Sequence, residues 1–330
     1  MFKQFGWLGA EEEQRAFDLF TESHPGVFRT AQEVGAKALD VARQARLAKL
    51  LESAPFDKGY AHWLSQQLVY TSDTQRQLIL PGPQDIGNCV AYSAALGIAL
   101  GLSSEIYLDG DPDMALVPYV PWLYGIGRVY VGGNRIGRSD GSLGTWQIEG
   151  AMKYGVLWCD EPNLPGPLPE GSASVGRSWG TSQRILDEYK GRASAYPVGQ
   201  HTVVESFEDL WEAVVERQEV FTIASDQGFV DAGVDSRYGI RLWRPGGTWS
   251  HQMHGRACFE IKGQRFAEIG NQWGVNYHGS IGNGFPKWGS FVTTAEYFDR
   301  WVKKGGAFCT TYEVIKSRVI SPPPTNLFGE

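Results

Sequence analysis

The sequence lacks the features that would place it in a membrane, on nucleic acid or in a disulfide-stapled scaffold. Its four cysteines, Cys89, Cys159, Cys258 and Cys309, stand far apart and make no CxxC pair. That excludes a dense disulfide framework and points to a reducing compartment. There is no basic run, and 30 Lys and Arg against 37 Asp and Glu give a net charge of −7, which argues against a nucleic-acid binder. The longest apolar stretch, Cys89 to Leu102, is interrupted by Tyr92 and Ser93 and is too short to cross a bilayer. The first residues, MFKQFGWLGAEEE, lack the basic-then-apolar order of a classical secretion signal. What is present is the material of a globular protein: 330 residues, 42% hydrophobic and only 20% charged. That is ample for a core and, at ~150 residues per domain, suggests about two domains. Forty-one glycines and twelve tryptophans indicate many turns and several aromatic-lined surfaces.

Texture changes along the chain. Residues 1–80 read as a helical extension, with a short amphipathic helix over Glu11–Phe20 and a longer Ala-rich one over Thr30–Leu51. The loop Leu80–Asn88, punctuated by Pro and Gly, leads into a small, apolar helix over Cys89–Leu100 with Asn88 as its expected N-cap. A further helix is predicted over Thr145–Tyr154, ended by Gly155. Asp160–Gln200 reads as a proline-rich surface insertion holding a short helix near Gln183–Tyr189, and another helix is predicted over Phe207–Arg217. Strands are then expected over Val220–Ala224, Arg256–Ile261, Arg265–Ile269 and Phe291–Thr294, with Gly263 in a hairpin. Helices first and antiparallel strands later imply an α+β architecture. Pro322–Pro324 begins an extended arm within a 311–330 tail.

Cys89 carries the first chemical signal. A thiol that opens a helix after a glycine-containing loop meets free backbone N–H groups and the positive end of the helix dipole, which favour the nucleophilic thiolate. A lone cysteine on an apolar helix also reads as core. The second signal lies far downstream, in Ser250-His251-Gln252-Met253 and Gly270-Asn271-Gln272-Trp273-Gly274. His251 by itself could cap a loop, and Asn271 could be a turn residue. Together the three supply a nucleophile, a base and a group that orients the base. His254 is a rival base, but residues three apart in a strand face opposite sides, so only one of the two can serve. His201 and His278 read as isolated, and neither a metal nor a cofactor is expected.

These residues resemble the papain-like cysteine peptidases. His251 and Asn271 lie 162 and 182 residues after Cys89, against ~130–150 in the family, a difference that the insertion around Asp160–Gln200 accommodates. Gln84, in Gln84-Asp85-Ile86-Gly87-Asn88-Cys89, matches the family's oxyanion-hole glutamine but stands one residue nearer the cysteine. Asn271-Gln272-Trp273-Gly274 is similar to the family's Asn-Ser-Trp-Gly, whose Trp shields the Asn–His hydrogen bond. Asp140-Gly141-Ser142-Leu143-Gly144 is similar to its Gly-Gly segment, which implies substrate binding at Asp140, Gly141 and Ser142. The match covers about residues 80–300. It departs from the family at Ile86 and around Ser139, where a disulfide is usual, and at Val90, where an aromatic is usual.

The resemblance implies a two-lobe fold over residues 81–310, with a helical lobe over about 81–200 and a sheet lobe, barrel-like, over about 201–310. It implies a cysteine endopeptidase acting on a peptide or protein substrate. Cys89 would be the nucleophile, His251 the general acid/base, Asn271 its orienting group, Trp273 the shield, and Gln84 with the Cys89 backbone N–H the oxyanion hole. Two alternatives stand beside it: a structural or assembly protein that keeps the fold on a virion, and a transferase or amidase using the same triad. Residues 1–80 are expected to dock a protein partner, together with the Pro322–Pro324 arm; the other reading is a propeptide-like cover. A cytoplasmic or virion-associated location is expected. Cys89 is expected to ionise well below an ordinary thiol, while burial suppresses the other three cysteines.

Overall fold

The computed structural model describes residues 6–23, 39–69, 84–110, 116–193, 198–282, 284–304 and 306–314. The chain begins with α1 (Ala10–Ser23), α2 (Val41–Leu51), the short strand β1 (Lys58–Ala61) and α3 (His62–Val69). It then enters α4 (Cys89–Asp109), which is buried along nearly its whole length and ends where Gly110 takes φ +70°. A helix that is apolar all round has no solvent face. Although α4 has the length and hydropathy of a membrane span, its most apolar window is buried throughout within the fold. Around α4 stand α5 (Val120–Gly125), which continues as a π-helical turn over Ile126–Val131, α6 (Gly144–Tyr154), α7 (Ala173–Trp179) and α8 (Gln183–Tyr189). Trp122, Trp179, Leu186 and Tyr119 lock these helices into one apolar core.

The second lobe is a seven-stranded sheet. After β2 (Val198–Val203) and α9 (Phe207–Trp211), which runs on as a π-helical turn over Glu212–Glu216, come β3 (Val220–Asp235), β4 (Ile240–Ile261), β5 (Gln264–Gly270) and β6 (Ser290–Thr294). Then α10 (Ala295–Lys304) and β7 (Ala307–Val314) follow. The strand order is β2–β7–β3–β4–β5–β6, with β1 added on β4. β4 is too long for one partner. It pairs with β3 up to His254 and with β5 from His254 onward. Leu242 near its start also meets Val292 of β6, so the sheet curls into a half-barrel around Phe259, Phe266, Phe291 and Trp301.

Several sequence expectations are extended or corrected here. The helix at Cys89 runs on to Asp109, and those at Thr145 and Gln183 stand as anticipated. Asn88 does not cap α4 through its side chain; its Oδ1 is buried without a hydrogen-bond partner. The insertion after Asp160 is not merely surface, since Trp179 of α7 and Leu186 of α8 enter the helical core. Residues 58–69, assigned from sequence to the helical extension, are part of the sheet lobe. β1 pairs with β4 from Lys58–Glu260 to Ala61–Ala257, and Trp63 Nε1 donates 2.8 Å to Glu268 Oε2. That carboxylate also pairs with buried Arg256 at 3.2 Å and accepts from Ser290 Oγ at 2.6 Å, so Trp63 closes a buried polar network. The 311–330 arm begins later than expected because β7 continues to Val314. Residues 30–38 of the Ala-rich helix, residues 80–83 of the loop and the Pro322–Pro324 arm lie outside the described residues.

The two lobes meet where α4 lies on the sheet, and two glycines set their separation. A Cβ on Gly97 would stand 2.0 Å from Tyr312 Oη, and one on Gly101 would stand 2.4 Å from Val314 Cγ2 and 3.1 Å from Val220 Cγ1. The helix backbone therefore packs directly on these strand side chains. Gly101→Val is expected to destabilise the fold by roughly 1–3 kcal/mol through overpacking. A lowered urea midpoint with an unchanged slope would show it, and an unchanged midpoint would mean that the seam yields.

Candidate active site

The loop Gln84–Asn88 delivers Cys89 to the first turn of α4, at the seam between the lobes. Cys89 Sγ is wholly buried and accepts from the backbone N–H of Gln252 at 3.5 Å, and the N–H groups of Val90, Gly6 and Cys89 itself also lie against it. Because Asn88 leaves the helix terminus uncapped, the Cys89 and Val90 N–H groups are free for the sulfur.

His251 sits on β4, opposite Ser225 of β3. Its Nε2–H donates 2.9 Å to Asn271 Oδ1, and Trp273 stacks on the ring at 4.7 Å and 22°. Its Nδ1 is buried with no hydrogen-bond partner. The adjacent residue, Gln252, is the one that touches the Cys89 sulfur, so β4 carries the imidazole to the mouth of α4. Asn271 Nδ2 donates in turn to His278 Nε2 at 2.9 Å. His254 is on the other side of β4. It accepts 3.4 Å from Gln272 Nε2, which also donates 2.7 Å to Ser93 Oγ on α4. Of the two histidines, only His251 meets Asn271.

Gln84 spends one amide hydrogen on the Ile86 carbonyl, 2.6 Å away, leaving the second available as a donor. Its own N–H donates to the Gln272 carbonyl at 3.0 Å. Asp140 accepts from Gly87 N–H at 3.4 Å and pairs with Arg177, holding the 140-loop against the cysteine loop. Gly141 takes φ +114° beside the Leu8 side chain, and Ser142 offers its backbone at the surface of the cleft. Among the described residues no three His, Cys, Asp or Glu side chains stand together as a metal site would require.

The N-terminal segment lies in this cleft, in the manner of the cover that stood as the alternative to docking. Gly6 N–H and Trp7 N–H donate to the Ser250 carbonyl at 3.1 and 3.4 Å, Ser142 N–H donates to Gly6 O at 2.8 Å, and Leu8 N–H donates to Ser142 O at 3.2 Å. A Cβ on Gly6 would stand 2.5 Å from the Gly87 carbonyl carbon, so only glycine passes there. The Trp7 ring packs with Cys89, Val90, Leu143, Trp146 and Ala224. Buried Glu13 of α1 holds the arrangement. Its carboxylate accepts from Trp7 Nε1 at 2.8 Å and from the N–H groups of Gly144 and Thr145 at 2.8 and 2.6 Å. A carboxylate on the exposed donors of a helix N-terminus is favoured by both hydrogen bonding and the dipole.

This cover reverses the expected thiol chemistry. Burial pushes the Cys89 thiol up to about 12 despite the four backbone N–H groups around it. Burial also pushes His251 down to about 4 despite its bond to Asn271. The covered site therefore holds a thiol and a neutral imidazole rather than an ion pair. The sequence-based expectation of a low-pKa cysteine took account of the helix terminus but not of Trp7 and Gly6, which exclude water. Cys258 and Cys309 are suppressed by burial as expected.

No family model matches the chain, and no curated protein matches it. Among solved structures it is similar to xylellain, a cysteine protease from Xylella fastidiosa, at 14% identity over 85% of this chain and 91% of that one, with a TM-score of 0.50. It also aligns with procathepsin B S9 from Trypanosoma congolense, at 11% identity over 90% and 96% of the two chains and a TM-score of 0.46. A third alignment is with the proform of the ragweed cysteine protease Amb a 11, at 14% identity over 78% and 66%, with a TM-score of 0.48. The likeness to xylellain shows a papain-like fold.

The buried imidazoles set the pH response. Burial lowers His62 and His251 to about 4 and His201 and His278 to about 3, and it lowers His254 well below its ordinary value. An unfolded histidine protonates near ~6.5. Below that pH the unfolded chain takes up protons that the folded form refuses. The stability is thus fully present above ~6.5 and falls as pH drops toward 4. Glu170, raised by burial, acts in the opposite direction, but it is one group against five. The urea midpoint is expected to be lower at pH 5 than at pH 7.5, and an equal or higher midpoint at pH 5 would contradict this account.

Proposed function

We propose that this chain is a cysteine endopeptidase whose site is covered by its own N-terminal segment. The observation that carries the reading is the His251–Asn271 hydrogen bond under Trp273, placed by β4 beside the helix terminus that holds Cys89. With the cover displaced, water returns to the sulfur, desolvation weakens, and the backbone N–H groups around Sγ favour the thiolate. His251 Nδ1, which has a lone pair when Nε2 carries the proton, takes the thiol proton. The thiolate attacks a peptide carbonyl, and the Cys89 backbone N–H and the free Gln84 amide hydrogen meet the developing oxyanion. Collapse expels the amine, which leaves with the proton from Nδ1, and a thioester remains. Water then attacks the thioester, giving its proton to Nδ1, and the thiolate is released.

The cleft between Ser142 and Ser250 is where an extended peptide would pair, because the N-terminal segment uses the backbone groups of both residues. This supports Ser142 in substrate binding and favours the cover over docking for residues 6–23. Glu13 is the latch, since it ties the Trp7 indole to the terminus of α6.

A peptidyl vinyl sulfone applied to the full-length protein, followed by peptide mapping, tests the reading. Modification is expected at Cys89, absent in His251→Ala, and faster in Trp7→Ala by ~10²-fold or more. That factor follows because truncating a buried tryptophan costs about 3–5 kcal/mol and each ~1.4 kcal/mol is tenfold. Labelling of Cys89 that ignores both substitutions would remove the case for a covered peptidase.

A further inference from the structure

Asn271 has a second partner that the triad chemistry does not use. Its Nδ2 donates to His278 Nε2 at 2.9 Å, and both side chains are buried. We infer that His278 is a positioning residue that fixes which end of the Asn271 amide faces His251, and thereby the tautomer in which His251 meets Cys89. The inference rests on the peptidase reading for its chemical consequence, not for its geometry.

The two ends of a carboxamide have nearly the same shape and opposite hydrogen-bonding character. Rotating Asn271 by half a turn would leave its packing almost unchanged but would present NH2, not oxygen, to His251 Nε2. That nitrogen would then have to be the acceptor, and the ring proton would move to Nδ1. Nδ1 is the buried nitrogen with no hydrogen-bond partner, and with a proton already on it, it could not accept another from the thiol. His278 Nδ1 is likewise buried without a hydrogen-bond partner, so the choice lies in the His278 tautomer: a proton on Nδ1 makes Nε2 an acceptor and removes the ambiguity. Only the NH2 end of Asn271 can then face His278 Nε2, so the oxygen faces His251 and His251 Nδ1 keeps its lone pair.

The fold holds His278 in that role. Gly274 adopts φ +97° after Trp273, which reverses the chain into a turn whose Tyr277 N–H donates to the Gly274 carbonyl. Asn271 N–H and Gly289 N–H close the base of the loop, onto the carbonyls of Gly289 and Val275. His278 thus returns beneath Asn271, while Trp273 covers His251 from the other end of the same loop. The His278 ring is packed by Trp243 of β4 at 4.5 Å, Phe291 of β6 at 4.8 Å and Tyr277 of its own turn at 4.9 Å. His251 lies beyond Asn271. Burial, with His251 adding to it, pushes His278 down to about 3, so the ring stays uncharged across the neutral range and one of its two nitrogens is always an acceptor.

The test is the proton position on each ring, read by long-range 1H–15N correlation on the full-length protein labelled with 15N-histidine. In the wild type His251 is expected to carry its proton on Nε2 and His278 on Nδ1. His278→Leu should give a mixed or reversed tautomer at His251 and lower the rate of Cys89 modification by about 10–10²-fold, the usual scale for a residue that orients an active group. His278→Gln places a carbonyl oxygen about where Nε2 stands and should restore the Nε2–H tautomer together with most of the labelling rate. A wild-type His278 protonated on Nε2 would overturn the inference without any variant. So would a His278→Gln protein as impaired as His278→Leu, because packing alone would then explain the effect. If the tautomers follow the expected pattern while Cys89 reacts in none of the proteins, the peptidase reading falls and this one stands.

Discussion

The structure depends on how closely α4 can lie on the sheet. That helix brings Cys89, and β4 brings His251, so a shift at the seam would separate the thiol from the imidazole. Gly97 and Gly101 let the helix backbone pack directly on Tyr312, Val314 and Val220, and Ser93 Oγ donates 2.9 Å to the carbonyl of Gln252, the residue next to His251 whose own N–H donates to the sulfur. The seam thus sets distance by sterics and register by a buried hydrogen bond, and an unmade bond there would cost more than the net worth of a made one.

Gln272 extends the same control to the remaining parts. Its side chain donates to Ser93 and to His254, and its carbonyl receives the Gln84 N–H. One buried residue between Asn271 and Trp273 therefore joins the helix of Cys89, the loop of Gln84 and the strand of His251 and His254. A side chain the length of glutamine is needed to span from the Asn271 loop to Ser93 and His254. That gives a physical reason for the departure from Asn-Ser-Trp-Gly, and it gives His254 a structural rather than a chemical place.

Reactivity at the site is a contest between desolvation and hydrogen bonding. Four backbone N–H groups favour a thiolate at Cys89, yet burial under Gly6 and Trp7 outweighs them. The same chain supplies the helix terminus that favours the thiolate and the segment that buries it. Glu13 connects the two, because its carboxylate satisfies α6 and the Trp7 indole together.

The sequence by itself determined the α+β order, the start of α4 from its small, apolar residues, the strand segments at Val220–Ala224, Arg256–Ile261 and Arg265–Ile269, and the motifs that single out Cys89, His251, Asn271 and Trp273 as candidates. Each of these is written in local periodicity or in a short motif. Only the tertiary structure decided the rest. His278, seven residues past Asn271, was legible only as an isolated histidine, because its partner is fixed by a loop closure that no periodicity records. Residues 58–69 passed for extension because a four-residue strand carries too little pattern to reveal a pairing with β4 some 200 residues on. The pKa of Cys89 reversed because local sequence specifies a helix terminus and its dipole, whereas exclusion of water depends on which distant segment, here Gly6–Leu8, comes to lie over it.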